Sequence, residues 1–395
     1  MDKMKFDPGN PQEEAPKRIQ PKNKKKKWLR LAVVTAIVLA IVALAVLWDS
    51  TTFDGLRRSF VYARADKDEN GCARLYSYDS DRSGCFATLD GSLIRSSLSQ
   101  VSVMGEDGNM RFHESVKFRC AAIDSNGKRA VAYDIGGTEL YVLDSKGLVH
   151  HITCDSEVQS AQLGEDNKLA VVVNKSGYKA AAYVYDAAGQ LTFEFDSADK
   201  FIMTAAVSDD GKHLAAVTMG QSDGVFTSYV VIYRMNRKEP TATCELPGEA
   251  VYDLRTVDNT FCVVAENALY FVANNGTINA SYPFEESYLR RCSLQGDGFA
   301  ALLLGRYKSG AQGTLLTVDE RGKVIGEVEA DGEVLDLSAS GNYVAALYSD
   351  HLTIYDKRMR ECATLSNVSA AREILMRDDG SAVLAGNGSA ALYLP

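Results

Sequence analysis

The chain has 395 residues, more than one average domain needs, and a length that fits one repeat-built domain plus a further segment. Residues 1–30 hold ten Lys or Arg against four Asp or Glu, a net charge of +6, so the remainder of this −9 chain carries −15. The acidic charge of that remainder excludes nucleic acid as the expected partner, because phosphate binding requires clustered cations.

Residues 1–27 are predicted to form a disordered basic tail. Four of the eight prolines lie in the first thirty residues, and large apolar side chains are scarce there. Such a composition buries too little surface to offset the entropy lost on ordering.

Residues 28–48 are predicted to form one transmembrane helix. The run from Leu31 to Trp48 is uncharged, and 21 residues make about 31 Å of helix, which matches a hydrocarbon core of roughly 30 Å. The two tryptophans of the protein, Trp28 and Trp48, stand at its ends, where indole rings favour the interface. Lysines 24–27 precede the span, so the positive-inside rule places the N-terminus in the cytoplasm. A cleaved signal peptide ending near Ala43-Leu44-Ala45 is the alternative.

The span divides the chain into a cytoplasmic tail, a membrane anchor and an extracytoplasmic part. Residues 49–58 are expected to be a linker, and residues 59–395 the folded extracytoplasmic domain. Short runs of Val, Ala, Leu and Tyr alternate there with Gly, Asp, Asn and Ser turns, which predicts many short strands.

The strand pattern repeats. Six copies follow one another from residue 118 to about 375, at roughly 43 residues each. They are Phe118–Cys154, Ala161–Phe195, Thr204–Leu246, Asp253–Tyr282, Cys292–Val328 and Asp336–Leu365. Each copy contains four strand-like segments, and the second is rich in small residues such as Ala215-Ala216.

Four strands in about 40–50 residues is the period of a β-propeller blade. A lone four-stranded sheet is unstable in water, whereas stacked blades cover each other. Residues 376–395 hold only three strands, and we expect the fourth from residues 73–78, which would close the ring. Residues 85–117 then form a further irregular blade, which gives eight blades, with seven as the alternative. A β-sandwich is the rival fold, but it does not explain the repeat.

A resemblance to a known family rests on the basic tail, the single span and two sequence segments, SGYKAAAYVYDAAGQ (Ser176–Gln190) and AAVSDDGKHLAAVT (Ala205–Thr218). The chain resembles a family of membrane-anchored β-propellers of Gram-positive bacteria whose function is unknown. The resemblance implies the fold and topology, and it brings no catalytic or binding residues with it.

The eight cysteines do not form an evident disulfide framework. Cys120 and Cys292 fall in first strands of different repeats, and Cys154, Cys244 and Cys362 fall in fourth strands. Equivalent positions in separate blades lie beyond the roughly 7 Å Cα distance that a bridge allows. We expect these five to be small buried thiols. The sequence also allows a disulfide between Cys72 and Cys85 across a turn.

Other residues with chemical potential have ordinary structural explanations. Asp66–Gly71 matches the first half of a calcium loop, but Ser77 stands where the bidentate Glu belongs. Five Asn-x-Ser/Thr triplets are interpreted chiefly as turns, and no zinc spacing, HExxH or GxSxG motif occurs. The five histidines lie in turns or fourth strands of different repeats: His113, His150, His151, His213 and His351.

We therefore assign no catalytic, cofactor-binding or metal-binding residue from the sequence. The preferred function is a non-enzymatic scaffold, tethered through residues 28–48, that binds a protein or cell-wall partner. The alternative is an enzyme or small-ligand sensor with its site at the mouth of the propeller channel.

Overall fold

The computed structural model describes residues 33–35, 55, 67–80, 84–222, 224–257, 259–368 and 370–395. Residues 33–35 are helical, and no helix within these ranges is long and apolar enough to cross a membrane. The predicted tail 1–27 lies outside the described residues, as do the linker 49–58 except residue 55 and the span 28–48 except residues 33–35.

From Lys67 onward the described chain is all β. Its 32 strands form eight four-stranded antiparallel sheets. The strands up to the third sheet are β1 (Cys72–Ser77), β2 (Cys85–Leu89), β3 (Ser92–Ser96), β4 (Gln100–Met104), β5 (Met110–Ser115), β6 (Ala121–Ser125), β7 (Ala130–Asp134), β8 (Glu139–Asp144), β9 (Gly147–Thr153), β10 (Glu157–Leu163), β11 (Leu169–Asn174), β12 (Ala180–Tyr185) and β13 (Leu191–Ser197).

The remaining strands continue the pattern to the C-terminus. They are β14 (Phe201–Val207), β15 (His213–Ser222), β16 (Val225–Arg234), β17 (Pro240–Pro247), β18 (Val251–Val257), β19 (Thr260–Ala265), β20 (Ala268–Val272), β21 (Ile278–Pro283), β22 (Tyr288–Gly296), β23 (Phe299–Gly305), β24 (Thr314–Asp319), β25 (Val324–Glu329), β26 (Asp336–Ser340), β27 (Tyr343–Leu347), β28 (His351–Asp356), β29 (Glu361–Ser366), β30 (Ala371–Met376), β31 (Ala382–Gly386) and β32 (Ser389–Tyr393).

Each sheet is one propeller blade, and its strands are called A to D from the central channel outward. Blades 1 to 7 take four consecutive strands each, beginning with β2, β6, β10, β14, β18, β22 and β26. The predicted six repeats therefore correspond to blades 2 to 7, and residues 85–115 form the expected irregular blade 1.

Blade 8 closes the ring with strands from both ends of the domain. Its order is β30, β31, β32 and then β1, with Cys72 opposite Tyr393 and Ser77 opposite Ser389. The fourth strand thus comes from the start of the domain, and the count of eight blades is confirmed. Pairing β32 with β1 removes the open edge that a three-stranded blade would leave.

Packing between blades accounts for the small residues of the second strands. Eight buried apolar clusters occupy the eight interfaces between consecutive blades. In β15 of blade 4, Ala216 packs towards blade 3 and Ala215 towards blade 5, which is the alternation that a strand imposes. Both residues are fully buried, so a larger side chain would push two blades apart.

The ring has two faces, which we name by their turns. The A–B face carries the turns from A to B strands and from C to D strands. The B–C face carries the turns from B to C strands and the linkers that enter each A strand. Blade 4 differs from the others on this face. The first residue of β14, Phe201, pairs with Met219 of β15, but the β15–β16 hairpin continues for three more residues beyond Met219. At about 3.4 Å per residue, the hairpin projects roughly 10 Å further.

Candidate functional site

The central channel contains a cavity at its A–B end, the place where the alternative function would need its site. Its volume is about 270 Å³, and all eight A strands line it. The polar residues facing it include Asp124, Gln162, Arg255, Thr256, Gln295 and Ser338.

Two side chains cross the channel rather than leave it open. Arg255 of blade 5 forms an ion pair with Asp124 of blade 2, although 131 residues separate them. Gln295 of blade 6 donates to the Ser125 carbonyl of blade 2 at 3.4 Å. Side chains from opposite sides of the ring therefore tie it together across its axis.

Further polar groups of the A strands connect neighbouring blades, namely blade 2 with blade 3 and blade 7 with blade 8. Asp124 Oδ2 accepts the Leu163 N–H at 2.8 Å, and Asp336 Oδ2 accepts the Ile374 N–H at the same distance. Ser338 Oγ accepts the Met376 N–H at 3.0 Å. These carboxylates and hydroxyls satisfy backbone donors, so their first role is structural.

Burial sets the charge state of the channel carboxyls. Burial, and then the nearby charge of Asp336, raises the pKa of Glu373 to about 8, against the hydrogen bond from Phe86 N–H. Burial also raises the pKa values of Asp253 and Asp336. Although burial alone lowers the pKa of the Arg255 guanidinium, the charges of Asp124 and Asp253 raise it, so this arginine stays charged.

Glu373 makes the stability of the propeller depend on pH. Its folded pKa lies above the ordinary 4.5, so the folded state binds more protons between that value and about 8, and stability falls as pH rises through this window. We expect Glu373→Gln to remove roughly half or more of the fall between pH 5 and pH 8.5, measured by urea unfolding. Glu333→Gln, at an exposed glutamate, is the control and should leave the fall unchanged. A fall of unchanged size in Glu373→Gln would contradict the assignment.

The cysteines are free thiols, and none of the eight forms a disulfide. Cys72 lies in the outermost strand of blade 8 and Cys85 in the innermost strand of blade 1, so the bridge left open by the sequence does not form. Cys85 Sγ donates to the Ala121 carbonyl at 3.2 Å, and burial raises its pKa to about 11. Burial raises the pKa of Cys292 to about 12. Protonated thiols are poor nucleophiles, so these two are not activated for catalysis.

The expectation of five buried thiols is correct in part. Cys154 and Cys244 are buried and Cys292 is partly buried, whereas Cys120 and Cys362 are exposed. The reason is positional. Cys362 lies in a D strand with one face in solvent, and Cys120 lies in the linker just before β6.

The remaining candidates stay apart from one another. Asp66 lies outside the described residues, and Asp68 Oδ1 accepts the backbone N–H groups of Asn70 and Cys72, which forms a turn into β1. The histidines are spread over blades 1, 2, 4 and 7, with His213 and His351 opening a B and a C strand rather than lying in turns. Within the described ranges, no group of three or more His, Cys, Asp or Glu side chains is placed to hold a metal ion.

A second candidate surface lies on the B–C face. Eleven of the sixteen exposed large apolar residues described between Cys72 and Pro395 are on this face, and the other five are on outer strands. Among the residues described from Cys72 to Pro395, all six exposed Phe and Tyr residues are on the B–C face. They come from the consecutive blades 3 to 6: Tyr178, Phe201, Phe226, Tyr252, Tyr288 and Tyr307. We call these six residues the aromatic crescent.

Apolar neighbours and lysines extend the crescent. Met203 and Val225 are also exposed beside Phe201 and Phe226 in the sequence. The Lys179 ammonium lies 5.2 Å from the Phe201 ring centre, and the Lys308 ammonium lies 5.4 Å from that of Tyr288. These two ammonium groups therefore lie against aromatic rings of the crescent, as in cation–π contacts.

The crescent was not predicted from the sequence, although a signal was present. Tyr178 and Tyr307 stand in turns after B strands, where a solvent-facing turn has no need of an aromatic ring. Once the repeats are aligned, these turns fall on one face, so the repeat assignment contained the information.

The chain is similar to solved β-propeller structures, and the first of these supports the fold alone. The C-terminal WD40 domain of Sif2 aligns with a TM-score of 0.59 and 13% identity, over 82% of this chain and 98% of that one. The β-propeller domain of Cps50 (Swd1) from Myceliophteria thermophila aligns at 10% identity and a TM-score of 0.48, over 82% of this chain and all of that one. The propeller forms here without any tryptophan in the blades.

No curated protein matches the sequence. The model of a family of unknown function, DUF5711, matches residues 73–380, which include nearly all of the propeller. The chain therefore belongs to the DUF5711 family.

Proposed function

We propose that this protein is a membrane-tethered, extracytoplasmic scaffold of a Gram-positive cell envelope that binds a protein partner through the aromatic crescent and performs no chemistry. The observation that carries the proposal is that the six exposed Phe and Tyr residues of the described propeller all lie on one face and in four consecutive blades.

The energetics of binding favour such a surface. Tyr252 and Tyr307 are 58% and 65% exposed, so they bear large apolar rings that water does not solvate well. Tyrosine is enriched among the residues that dominate protein–protein affinity, because a rigid ring loses little entropy on binding. The blades hold these rings in fixed positions, which lowers the cost of association further.

The tether is supported by the sequence. Residues 28–48 have the length and apolarity of a membrane span, and lysines precede them. β1 begins opposite Tyr393, at the C–D turn side of blade 8, so the described residues 67–71 that precede it lie on the A–B face.

An enzyme or small-ligand sensor at the channel mouth is the alternative, and the cavity of about 270 Å³ favours it. The groups around that cavity favour the scaffold instead. Asp124 is engaged by Arg255 and by Leu163 N–H, and Asp209, which also lines the cavity, accepts the Asn259 N–H. A ligand would have to displace these bonds to use the carboxylates.

Site-specific photocrosslinking in intact cells tests the proposal. A benzophenone amino acid at Tyr252 or Phe226 is expected to capture one and the same protein, and an added impermeant protease should digest the adduct. The control places the benzophenone at Leu191, which is 49% exposed on an outer strand against 58% for Tyr252. Equal capture at all three positions, no capture, or an adduct that resists the protease until the cells are lysed would contradict it.

A further inference from the structure

One end of the aromatic crescent bears a cluster of cations on blade 6. Arg306, Tyr307 and Lys308 lie in its B–C turn, while Tyr288 and Arg290 lie at the start of β22. We call these five residues the blade-6 patch. Arg306 and Lys308 are exposed, and both stand beside the tyrosine with the largest exposed fraction in the crescent.

The patch is assembled by contacts between its two segments. Arg290 Nη1 donates to the Gln312 carbonyl at 3.2 Å, which fixes the guanidinium across the base of the turn. The Arg290 stem passes so close to Gly305 that a Cβ there would lie 2.5 Å from Arg290 Cδ, so a larger residue at this position would displace the arginine. Lys308 reaches back over Tyr288. The two segments therefore present their charges side by side.

The positive charge is not balanced within blade 6. Between Ser287 and Val318 the single acid is Asp297, which lies in the A–B turn on the opposite face. Glu285 and Glu286 precede Tyr288 on this face. None of Arg290, Arg306 and Lys308 forms a salt bridge with a described residue. The neighbouring Arg291 is not part of the patch, because its guanidinium donates to the Leu335 carbonyl of blade 7.

Charge and apolar area together select the partner. Guanidinium and ammonium groups bind carboxylates and phosphates alike. However, the apolar rings continue from this patch through Tyr252 to Phe226 and Phe201, and a polyphosphate or polyol-phosphate chain has no aromatic groups to cover them. A polypeptide with acidic and aromatic side chains matches both features.

We infer that the partner binds through an acidic, aromatic-containing segment whose carboxylates contact Arg306 and Lys308 while its apolar side chains pack on the aromatic crescent. This inference rests on the proposed function and names the chemistry of the partner. The carboxylates supply orientation and a fast, salt-dependent association, and the rings supply most of the affinity.

Defined polymers test it on the full-length protein. The probes are a random copolymer of Glu and Tyr, poly-Glu and inorganic polyphosphate, with binding followed by fluorescence anisotropy. The Glu–Tyr copolymer is expected to bind tightest, and Arg306→Glu/Lys308→Glu is expected to weaken it by about tenfold or more. Tyr307→Ala should weaken the copolymer more than poly-Glu.

The matched control reverses two cations of the same blade on the opposite face. Arg321→Glu/Lys323→Glu makes the same change in net charge in the exposed C–D turn, and it should leave copolymer binding within about twofold. Equal loss in both double variants, or polyphosphate binding as tightly as the copolymer, would overturn the inference. If crosslinking at Tyr252 still captures its protein in Arg306→Glu/Lys308→Glu, the scaffold function stands and the acidic segment is wrong.

Discussion

Replacing Arg255 by methionine is expected to lower the free energy of unfolding by about 3–5 kcal/mol, because it leaves the Asp124 carboxylate buried without its counter-ion. The Asp124 side chain is 7% exposed and that of Arg255 is 21% exposed, so water reaches the carboxylate poorly. The pair also joins blades 2 and 5, so its loss removes a tie across the ring. Urea unfolding of the full-length protein measures the change.

A double-mutant cycle separates the ion pair from the general loss of packing. Asp124→Asn removes the charge but keeps an oxygen that can accept the Leu163 N–H, so Arg255→Met/Asp124→Asn should recover most of the stability lost in Arg255→Met. Arg321→Met, at a side chain 82% exposed, is the control and should change stability by less than about 0.5 kcal/mol. A loss below about 1 kcal/mol in Arg255→Met would show that solvent screens the pair.

The repeat structure was predictable because the sequence features that specify each blade lie close together in the chain. Each blade needs a turn, a small-residue strand and an alternating strand within a short span, as in Asp209–Lys212 followed by Leu214–Val217. In the structure Asp210 Oδ1 accepts the Lys212 N–H, and Gly211 has φ of +65°, as such a turn requires. Only three strand segments follow the last complete repeat, and the missing fourth indicated that β1 closes the ring.

The channel contacts were not predictable in the same way. Arg255 and Asp124 lie 131 residues apart, and Gln295 and Ser125 lie 170 apart. Each side chain has an ordinary place in its own A strand, and only the closure of the ring brings the partners together. Which acids and bases meet therefore depends on the angle between blades and on strand register, neither of which the repeat specifies.

The residues on the two faces of the ring differ in the role that accounts for them. On the A–B face, Asp and Gly shape tight turns, and Lys128 pairs with Glu165 of the next blade. On the B–C face, the extended hairpin of blade 4 and the long B–C turn of blade 6 carry Phe226 and Tyr307 into solvent. Residues that serve the fold recur from blade to blade, whereas these rings are confined to consecutive blades. That confinement is what favours a binding role for the crescent.

Removing the ring of Tyr76 is expected to lower the free energy of unfolding by about 3–5 kcal/mol, a loss comparable to that expected for Arg255→Met. Tyr76 is 1% exposed in the apolar cluster between blades 8 and 1, and its hydroxyl donates to the Gly91 carbonyl at 3.1 Å. β1 is the strand that completes blade 8, so a cavity beside it weakens the single junction where the two ends of the domain meet.

Graded replacements at Tyr76 separate the two contributions of its side chain. Tyr76→Phe keeps the ring and removes the bond to Gly91, so it should cost only about 0.5–1.5 kcal/mol, whereas Tyr76→Ala also opens a cavity. Tyr307→Ala removes an exposed ring of the same type and should stay within about 0.5 kcal/mol of the unaltered protein. Because ring closure protects the edge of β32, Tyr76→Ala should also speed proteolysis near both termini of the domain before the inner blades are cut. Uniform cleavage, or a loss of stability no larger than that of Tyr76→Phe, would show that closure does not depend on this strand.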